Sequence, residues 1–192
     1  ANIEFEKLED SVFDDPMGEA SGAGAIFGTT GGVMEAALRT SADLLEGKSI
    51  ENIEYKMVRG EKGIKEAKLN IAGKDIKIAV VSGLNNARKM MEQVRKGESP
   101  YHFIEVMSCP GGCVMGGGQP IKNSKIRSTV DVRKLRADSL YDIDEKSVIR
   151  KSHENPTLKT IYKEFLGKPG GEKAHHYLHT HYTKKDKYIL DS

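Results

Sequence analysis

The 192-residue sequence contains no tryptophan, only five phenylalanines and seven tyrosines, and just two cysteines. With aromatics at 6%, any core must be built from aliphatic residues, methionine and alanine. Two cysteines cannot make the disulfide framework of a small secreted domain, so a reducing, cytoplasmic setting is the default. The chain also lacks charge of one sign. Thirty basic residues against 28 acidic ones leave a net charge of +2, which excludes the clustered excess charge of a nucleic-acid footprint. No stretch approaches the roughly 20 apolar residues of a membrane span, and no leader with a charged start and an apolar centre is visible. Neither a nucleic acid nor a membrane is therefore expected as a partner. The chain opens at Ala1 rather than Met, which implies processing or excision. Its charged fraction of 30% exceeds the typical value of about 25%, so the surface is polar for the size of the core. The length suits one sizeable domain.

The pattern along the chain is α/β, with a mixed sheet, flanking helices and a C-terminal helical extension. Residues 1–15 are acidic and mixed, with an edge strand expected over Ile3–Leu8. Six glycines from Gly18 to Gly32 then make a loop suited to close backbone approach. The loop lacks the Gly-Lys-Ser/Thr of a phosphate loop and the spacing of a dinucleotide fingerprint. Met34, Ala37, Leu38, Ser41 and Leu45 share one helical face, and Gly47 suits the stop. Residues 50–58 alternate and read as a strand. Residues 64–71 and 76–81 flank Ala72–Asp75 as a hairpin, and the second arm turns continuously apolar, as a strand buried on both faces does. Leu84, Ala87, Met91 and Val94 predict a helix ending at Gly97. A strand through Met107 follows, so residues 76–107 form a strand–helix–strand unit. Helices are expected over about 128–146, 156–166 and 171–179, with Asn155–Pro156 a good start for the second. The boundary falls near residues 121–127, giving an α/β lobe over 1–124 and a helical segment over 125–192.

Both cysteines sit in "FIEVMSCPGGCVMGGGQP", residues 103–120, where a strand runs out into glycine. Thiolates suit soft or borderline metals. Glycines let the backbone fold around a cluster and aim amides at sulfur, which tunes iron–sulfur potentials. A loop beyond a strand lies at the carboxyl end of the sheet, where open α/β sheets build sites. Spacing alone decides little, because zinc and iron–sulfur sites normally need four ligands. Two inert thiols in a structural loop, a redox dithiol and half of a metal site all remain open.

The stretch from Glu105 and Met107 through Cys109-Pro110-Gly111-Gly112-Cys113 to Gly116-Gly117-Gly118-Gln119-Pro120 resembles the third cysteine motif of the iron-only (FeFe) hydrogenases, which interconvert protons and dihydrogen. "SGAGAIFGTTGGVMEAALRT" at 21–40 resembles the family's block between its second and third cysteine motifs. "RKSHENPTLKTIYKEFLGKPGGEKAHHYLHTHY" at 150–182 is similar to the small-subunit segment that many members carry fused at the C-terminus. The resemblance covers essentially the whole chain. It implies an active centre in which a 4Fe–4S cluster, held by four cysteines, joins a di-iron subcluster carrying CO, cyanide and a dithiolate bridge. By position in the motif, Cys109 would be a terminal cubane ligand and Cys113 the ligand bridging to the di-iron unit. Met107 and Phe27 would line the di-iron pocket and keep it dry.

The departures are informative. The family's two earlier motifs, Thr-Ser-Cys-Cys-Pro and Met-Pro-Cys-Thr, do not occur here, nor do Cys-x-x-Cys runs for accessory clusters. The proton-relay cysteine, acid and serine belong to that part too, so no catalytic set is complete in this chain. The expectation is the C-terminal portion of a hydrogenase, inactive and without its clusters when alone. The missing N-terminal part would be its partner, with ferredoxin or an NAD(P)-linked protein as electron partner of the complete enzyme. A lobe face normally covered by the missing half should stand exposed and apolar, open to self-association. The alternatives are a non-catalytic hydrogenase-like iron–sulfur protein for cluster assembly or sensing, and a natural subunit paired with a separate chain. His175, His176, His179 and His181 crowd one segment, and His175 and His179 have the spacing of a helical metal pair. Packing and hydrogen bonding is the plainer reading for them. For His153, beside the Asn155–Pro156 helix start, it is capping or surface hydrogen bonding.

Overall fold

The computed structural model describes residues 3–14, 18–51, 54–60 and 62–184. Its centre is a three-stranded mixed sheet in the order β1-β2-β3, with β1 at Ile64–Ile71, β2 at Lys74–Ser82 and β3 at Phe103–Met107. Strands β1 and β2 pair antiparallel. Two residues join them, Ala72 at φ 51° and Gly73 at φ 74°, and paired positive φ values give a hairpin turn whose twist matches that of the strands. Helix α3, Leu84–Lys96, then crosses to β3, which runs parallel to β2, so the predicted strand–helix–strand unit is present.

The continuous apolar run of β2 has a simple cause. Successive side chains point to opposite faces, and both faces are covered. Ile78 and Val80 pack with Met34, Leu38 and Ala42 of helix α2, Gly32–Glu46. Ala79 and Val81 pack with Ala87 and Met90 of α3. Each fully buried aliphatic side chain contributes about 1.5–3 kcal/mol relative to exposure. Gly47 ends α2 and Gly97 ends α3, both in the left-handed conformation.

Several elements differ from expectation. Residues 5–7 form a single 3-10 turn with Phe5 exposed, because no neighbouring strand offers hydrogen bonds. Lys56–Val58 is also a 3-10 turn that buries Val58, while the expected strand residues 52 and 53 lie outside the described residues. The long helix expected from 128 divides into α4, Ser124–Thr129, and α5, Val132–Lys146. The break occurs where the Asp131 side chain accepts from the Lys134 amide and starts α5 afresh. Helix α6 spans Pro156–Ile161, with Asn155 accepting from the Leu158 amide, and then widens to a π turn over Tyr162–Leu166. Helix α7, Glu172–Leu178, packs Tyr177 against Phe165 of that turn, with ring centroids 5.1 Å apart.

The buried faces of α2 and α3 also differ. On α3, Ala87 and Met90 carry the packing, while Leu84, Met91 and Val94 stand exposed. On α2, Ser41 and Leu45 are exposed, while Glu35, Arg39 and Asp43 are buried. These three lie at i, i+4 and i+8, a second face turned toward the C-terminal segment. Arg39 donates through Nη1 and Nη2 to the two carboxylate oxygens of Asp144 on α5, at 2.7 and 2.8 Å, and to Glu35 at 2.8 Å. Arg59 and Arg150 complete the network from Glu35 and Asp144 respectively. Lys151 donates to Asp43 at 2.7 Å. Fully buried charges stay ionised only where every oxygen and guanidinium is paired. Burial by itself would raise the Asp144 pKa. The hydrogen bonds from Arg39 and Arg150 outweigh that and hold it below the usual carboxylate range.

Replacing Asp144 by alanine leaves Arg39 short of one buried partner and is expected to lower the unfolding free energy by about 3–5 kcal/mol, read from chemical denaturation. A carboxylate with a lowered folded pKa stabilises above its unfolded value of 3.8 and loses that contribution as pH falls. The variant's stability should therefore fall less steeply on acidification than that of the parent.

Candidate functional site

Strand β3 ends at Met107, whose carbonyl accepts from the Gly83 amide at 2.8 Å. The chain then turns through Cys109–Gly112, closed by the Gly112 amide donating to the Cys109 carbonyl at 3.0 Å. A 3-10 turn over Cys113–Met115 follows. Both thiols are free; Cys109 is half-buried and Cys113 exposed. A side chain on Gly116 would meet the Cys109 sulfur at 3.6 Å, so the glycine run after Cys113 passes over that thiol. The pair lies beyond a strand as expected, but β3 is an edge strand with Phe103 and Val106 exposed and only Glu105 buried, not the buried strand that its apolar residues predicted.

The glycine-rich segment before α2 forms the opposite wall. Helix α1, Gly22–Ala25, runs into a 3-10 turn, Ile26–Gly28, that buries Ile26 and leaves Phe27 44% exposed. The two loops meet backbone to backbone. The Thr30 amide donates to the Gly111 carbonyl at 3.2 Å. Gly112 sits at φ 96°, and a Cβ there would lie 2.7 Å from both the Gly28 carbonyl oxygen and the Thr30 nitrogen. Only glycine tolerates that approach. Phe27 is thus one residue from a backbone that touches the residue preceding Cys113, and Met107 is two residues before Cys109. Phe27 and Cys113 thus adjoin two backbones in contact, and Met107 and Cys109 lie at the strand end and turn that lead into that contact.

Three polar side chains hold this junction, and sequence reasoning assigned a role to none of them. Glu105 on β3 is 6% exposed. Its Oε1 accepts from the Gly31 amide at 2.7 Å and its Oε2 from the Met34 amide at 2.6 Å, at the start of α2. Lys65 on β1 donates to the carbonyls of Thr30 and Gly60, both at 2.9 Å. Arg136 on α5 donates to the carbonyls of Val114 and Pro120, at 2.9 and 2.6 Å, and so binds the far side of the cysteine loop. A signal existed only for Glu105, two residues before Met107 in the quoted motif. The others are lysine and arginine in patterns that resemble solvated faces. Burial drives the Lys65 ammonium down to about pKa 8, with the nearby Glu105 charge opposing. Two cavities flank the loop. One of about 650 Å³ lies beside Met115, Gln119, Arg127 and Arg133, and one of about 380 Å³ lies between Thr29, Gly111 and Tyr141.

The histidine cluster does not join this site. His175 and His179 on and after α7 are exposed, with Nδ1 atoms 2.5 Å apart. Among the described residues, Asp43, His153 and Glu154 are the one group of three such donors close enough to share an ion. There the Lys151 ammonium already sits 2.7 Å from Asp43 Oδ2, which favours an ion-pair role. His153 bonds to Thr40 and Asp43, both at 3.0 Å, consistent with its reading as a hydrogen-bonding residue.

The donor set suits a soft metal or cluster. Two free thiols with turn amides around them would supply half of a four-thiolate site. Residues 1–117 match the family described as the iron only hydrogenase large subunit, C-terminal domain, and residues 130–185 match the iron hydrogenase small subunit. Iron hydrogenase 1 of Clostridium pasteurianum is 54% identical over 184 residues, which cover 96% of this chain and 32% of that protein. The cytosolic Fe-S cluster assembly factor narfl of Danio rerio is 31% identical over 179 residues, covering 93% of this chain and 42% of that protein. Among solved structures, a variant of the FeFe-hydrogenase HydA1 from Chlamydomonas reinhardtii superimposes with a TM-score of 0.64 at 39% identity, over 92% of this chain and 50% of that one. The chain thus spans about a third to a half of the length of these relatives.

Gly112→Ala should force the two loops apart, since its Cβ would meet backbone on two sides. The expected cost is about 1–3 kcal/mol by thermal or chemical unfolding. Lys65 offers a pH test. A lysine with a lowered folded pKa is protonated in the unfolded chain and neutral in the folded one between about pH 8 and 10.5. The unfolded state binds more protons there, so this residue's contribution to stability rises with pH across that window. Lys65→Met should remove that rise, read as the difference in unfolding free energy between pH 7.5 and 10.

Proposed function

The chain belongs to the iron-only hydrogenase family, and from that membership we propose that it is the C-terminal portion of an enzyme that interconverts protons and dihydrogen. Cys109 would hold a 4Fe–4S cluster as a terminal ligand, and Cys113 would bridge it to the di-iron subcluster. When bound, that centre would supply the redox and hydrogen chemistry. The residues of this chain bind, shape and shield it. Gly111, Gly112 and Gly116 let the backbone fold closely around the two thiols. Phe27 and Met107 keep water from the di-iron side. The observation that carries the reading is the paired free thiols at the carboxyl end of β3, packed against the glycine turn of Phe27.

Two cysteines cannot close a cubane that needs four, so the chain alone would not hold the complete centre. The remaining ligands and the proton relay would come from the N-terminal part of the longer protein. We place its docking face at the exposed apolar side of α3 and β3. Leu84, Met91 and Val94 stand out there with Phe103 and Val106, and Val94, Phe103 and Ile104 line a shared cavity of about 370 Å³. Uncovered, this face would promote self-association. The lobe would end near residue 124 and the small-subunit-like segment would start at 125, where α4 begins after the Arg136-bound loop. Ferredoxin or an NAD(P)-linked protein would exchange electrons with the complete enzyme. Among the described residues no helix is long and apolar enough to cross a membrane, and we place the protein in the cytoplasm, where its free thiols stay reduced.

A second reading, an iron–sulfur protein of cluster assembly or sensing, draws on the similarity to the zebrafish assembly factor. Phe27 and Met107, by their identity and place in the motifs, favour the hydrogenase, because an assembly protein would have no di-iron pocket for them to line.

Co-expression with the N-terminal part and the maturation enzymes should yield hydrogen evolution from a reduced viologen, abolished by Cys113→Ala. Iron bound without hydrogen evolution would support the assembly reading instead. The chain purified alone should bind fewer than about four irons, the content of one cubane. A full complement would overturn its proposed dependence on the missing part.

A further inference from the structure

Helix α2 has a structural problem at its start. Its N-cap, Gly31, sits at φ 95°, and a Cβ there would lie 2.0 Å from the Val58 carbonyl oxygen. The position therefore cannot carry the serine, threonine or aspartate that normally satisfies the first-turn amides. The N-cap amide of Gly31 and the first-turn amide of Met34 are satisfied instead from more than 70 residues away in sequence, by the two oxygens of Glu105. The first turn of a helix favours an anion, and the charge of Lys65 lies close by.

The location of this distant cap matters more than its strength. Glu105 lies on β3 two residues before Met107, hence on the same face of the strand, and four before Cys109. Its carboxylate joins the strand that carries Met107 and Cys109 to the turn that carries Phe27. The walls also meet through backbone, Thr30 to Gly111 and Gly28 against Gly112, and through the Val114 side chain beside Gly28. Glu105 bonds the two walls through a side chain.

We infer that Glu105 is a positioning residue of the proposed hydrogen-converting site, setting the spacing between the Phe27 turn and the Met107–Cys109 strand by capping α2 from β3. The inference rests on the hydrogenase reading for its consequence, but not for its geometry. Glu105→Gln keeps the size of the side chain and one acceptor, and loses the second acceptor and the charge. Only one of the two amides can then be satisfied.

The test compares Glu105→Gln with Ile71→Ala, which weakens the core beside the β1–β2 hairpin, at the end of the sheet remote from Met107. In the co-expressed, matured protein, the infrared bands of the CO and cyanide ligands should be displaced or broadened in Glu105→Gln. They should remain at the parent positions in Ile71→Ala even where the melting temperature falls further. In the chain itself, the Gly31 and Met34 amides should exchange with deuterium about tenfold faster in Glu105→Gln, and the ratio of Cys109 to Cys113 alkylation by iodoacetamide should change. Parent-like bands in a loaded, folded Glu105→Gln protein would overturn the inference. Should the unsubstituted protein take up no di-iron unit, the hydrogenase reading fails and the chain measurements decide. Unchanged exchange and an unchanged alkylation ratio would then overturn the positioning role.

Discussion

Helix α2 is buried on two sides, and the bidentate bond from Arg39 to Asp144 is what makes the second side possible. One face packs Met34, Leu38 and Ala42 on the sheet. The other carries Glu35, Arg39 and Asp43 toward the C-terminal segment, where Asp144 pairs with Arg39 and Lys151 with Asp43, while Glu35 pairs with Arg39 and Arg59. A helix with one apolar face could sit on the sheet alone. This one also holds the extension, and through it the far wall of the cysteine loop, because Arg136 lies two turns before Asp144 on the same helix α5. Buried ion pairs are often no stronger than apolar packing, but they are far less tolerant of a wrong partner. The joint is correspondingly specific in register.

The site follows from where the ends of these elements meet. The start of α2 and the end of β3 lie together because Glu105 on β3 accepts from the Gly31 and Met34 amides. Their loops touch with no side chain between them at Gly112, Gly28 and Thr30. Such contact leaves the cysteine loop with one cavity beside Met115 and Gly116 and another beside Gly111. A soft cluster would find two thiolates, oriented dipoles and an apolar rim there. The other half of the coordination would have to arrive from outside this chain, across the apolar strip of Leu84, Met91 and Val94 that α3 leaves uncovered.

The apolar order of the fold was legible in the sequence. The run Ile78–Val81 announced a strand covered on both faces, Ala72–Gly73 a tight hairpin, and Gly47 and Gly97 the helix ends. These features depend on near neighbours and on one period of hydrophobicity. The cysteine loop was legible for the same reason, since its residue types and spacing carry its chemistry within a dozen positions. The expected stripes on α2 and α3 were misjudged at Ser41, Leu45, Leu84 and Val94. Periodicity says that a face is apolar, not whether anything covers it.

By itself, then, the sequence determined the α/β pattern, the position of the thiol pair beyond a strand and the family to which both belong. Tertiary structure alone decided which charges are buried. Glu35, Arg39, Lys65, Glu105 and Asp144 read as ordinary surface residues, because a charged side chain shows no preference for burial until its partner is in place. Each partner stands at a distance that local pattern cannot reach: Asp144 is 105 residues from Arg39, and the Gly31 amide is 74 from Glu105.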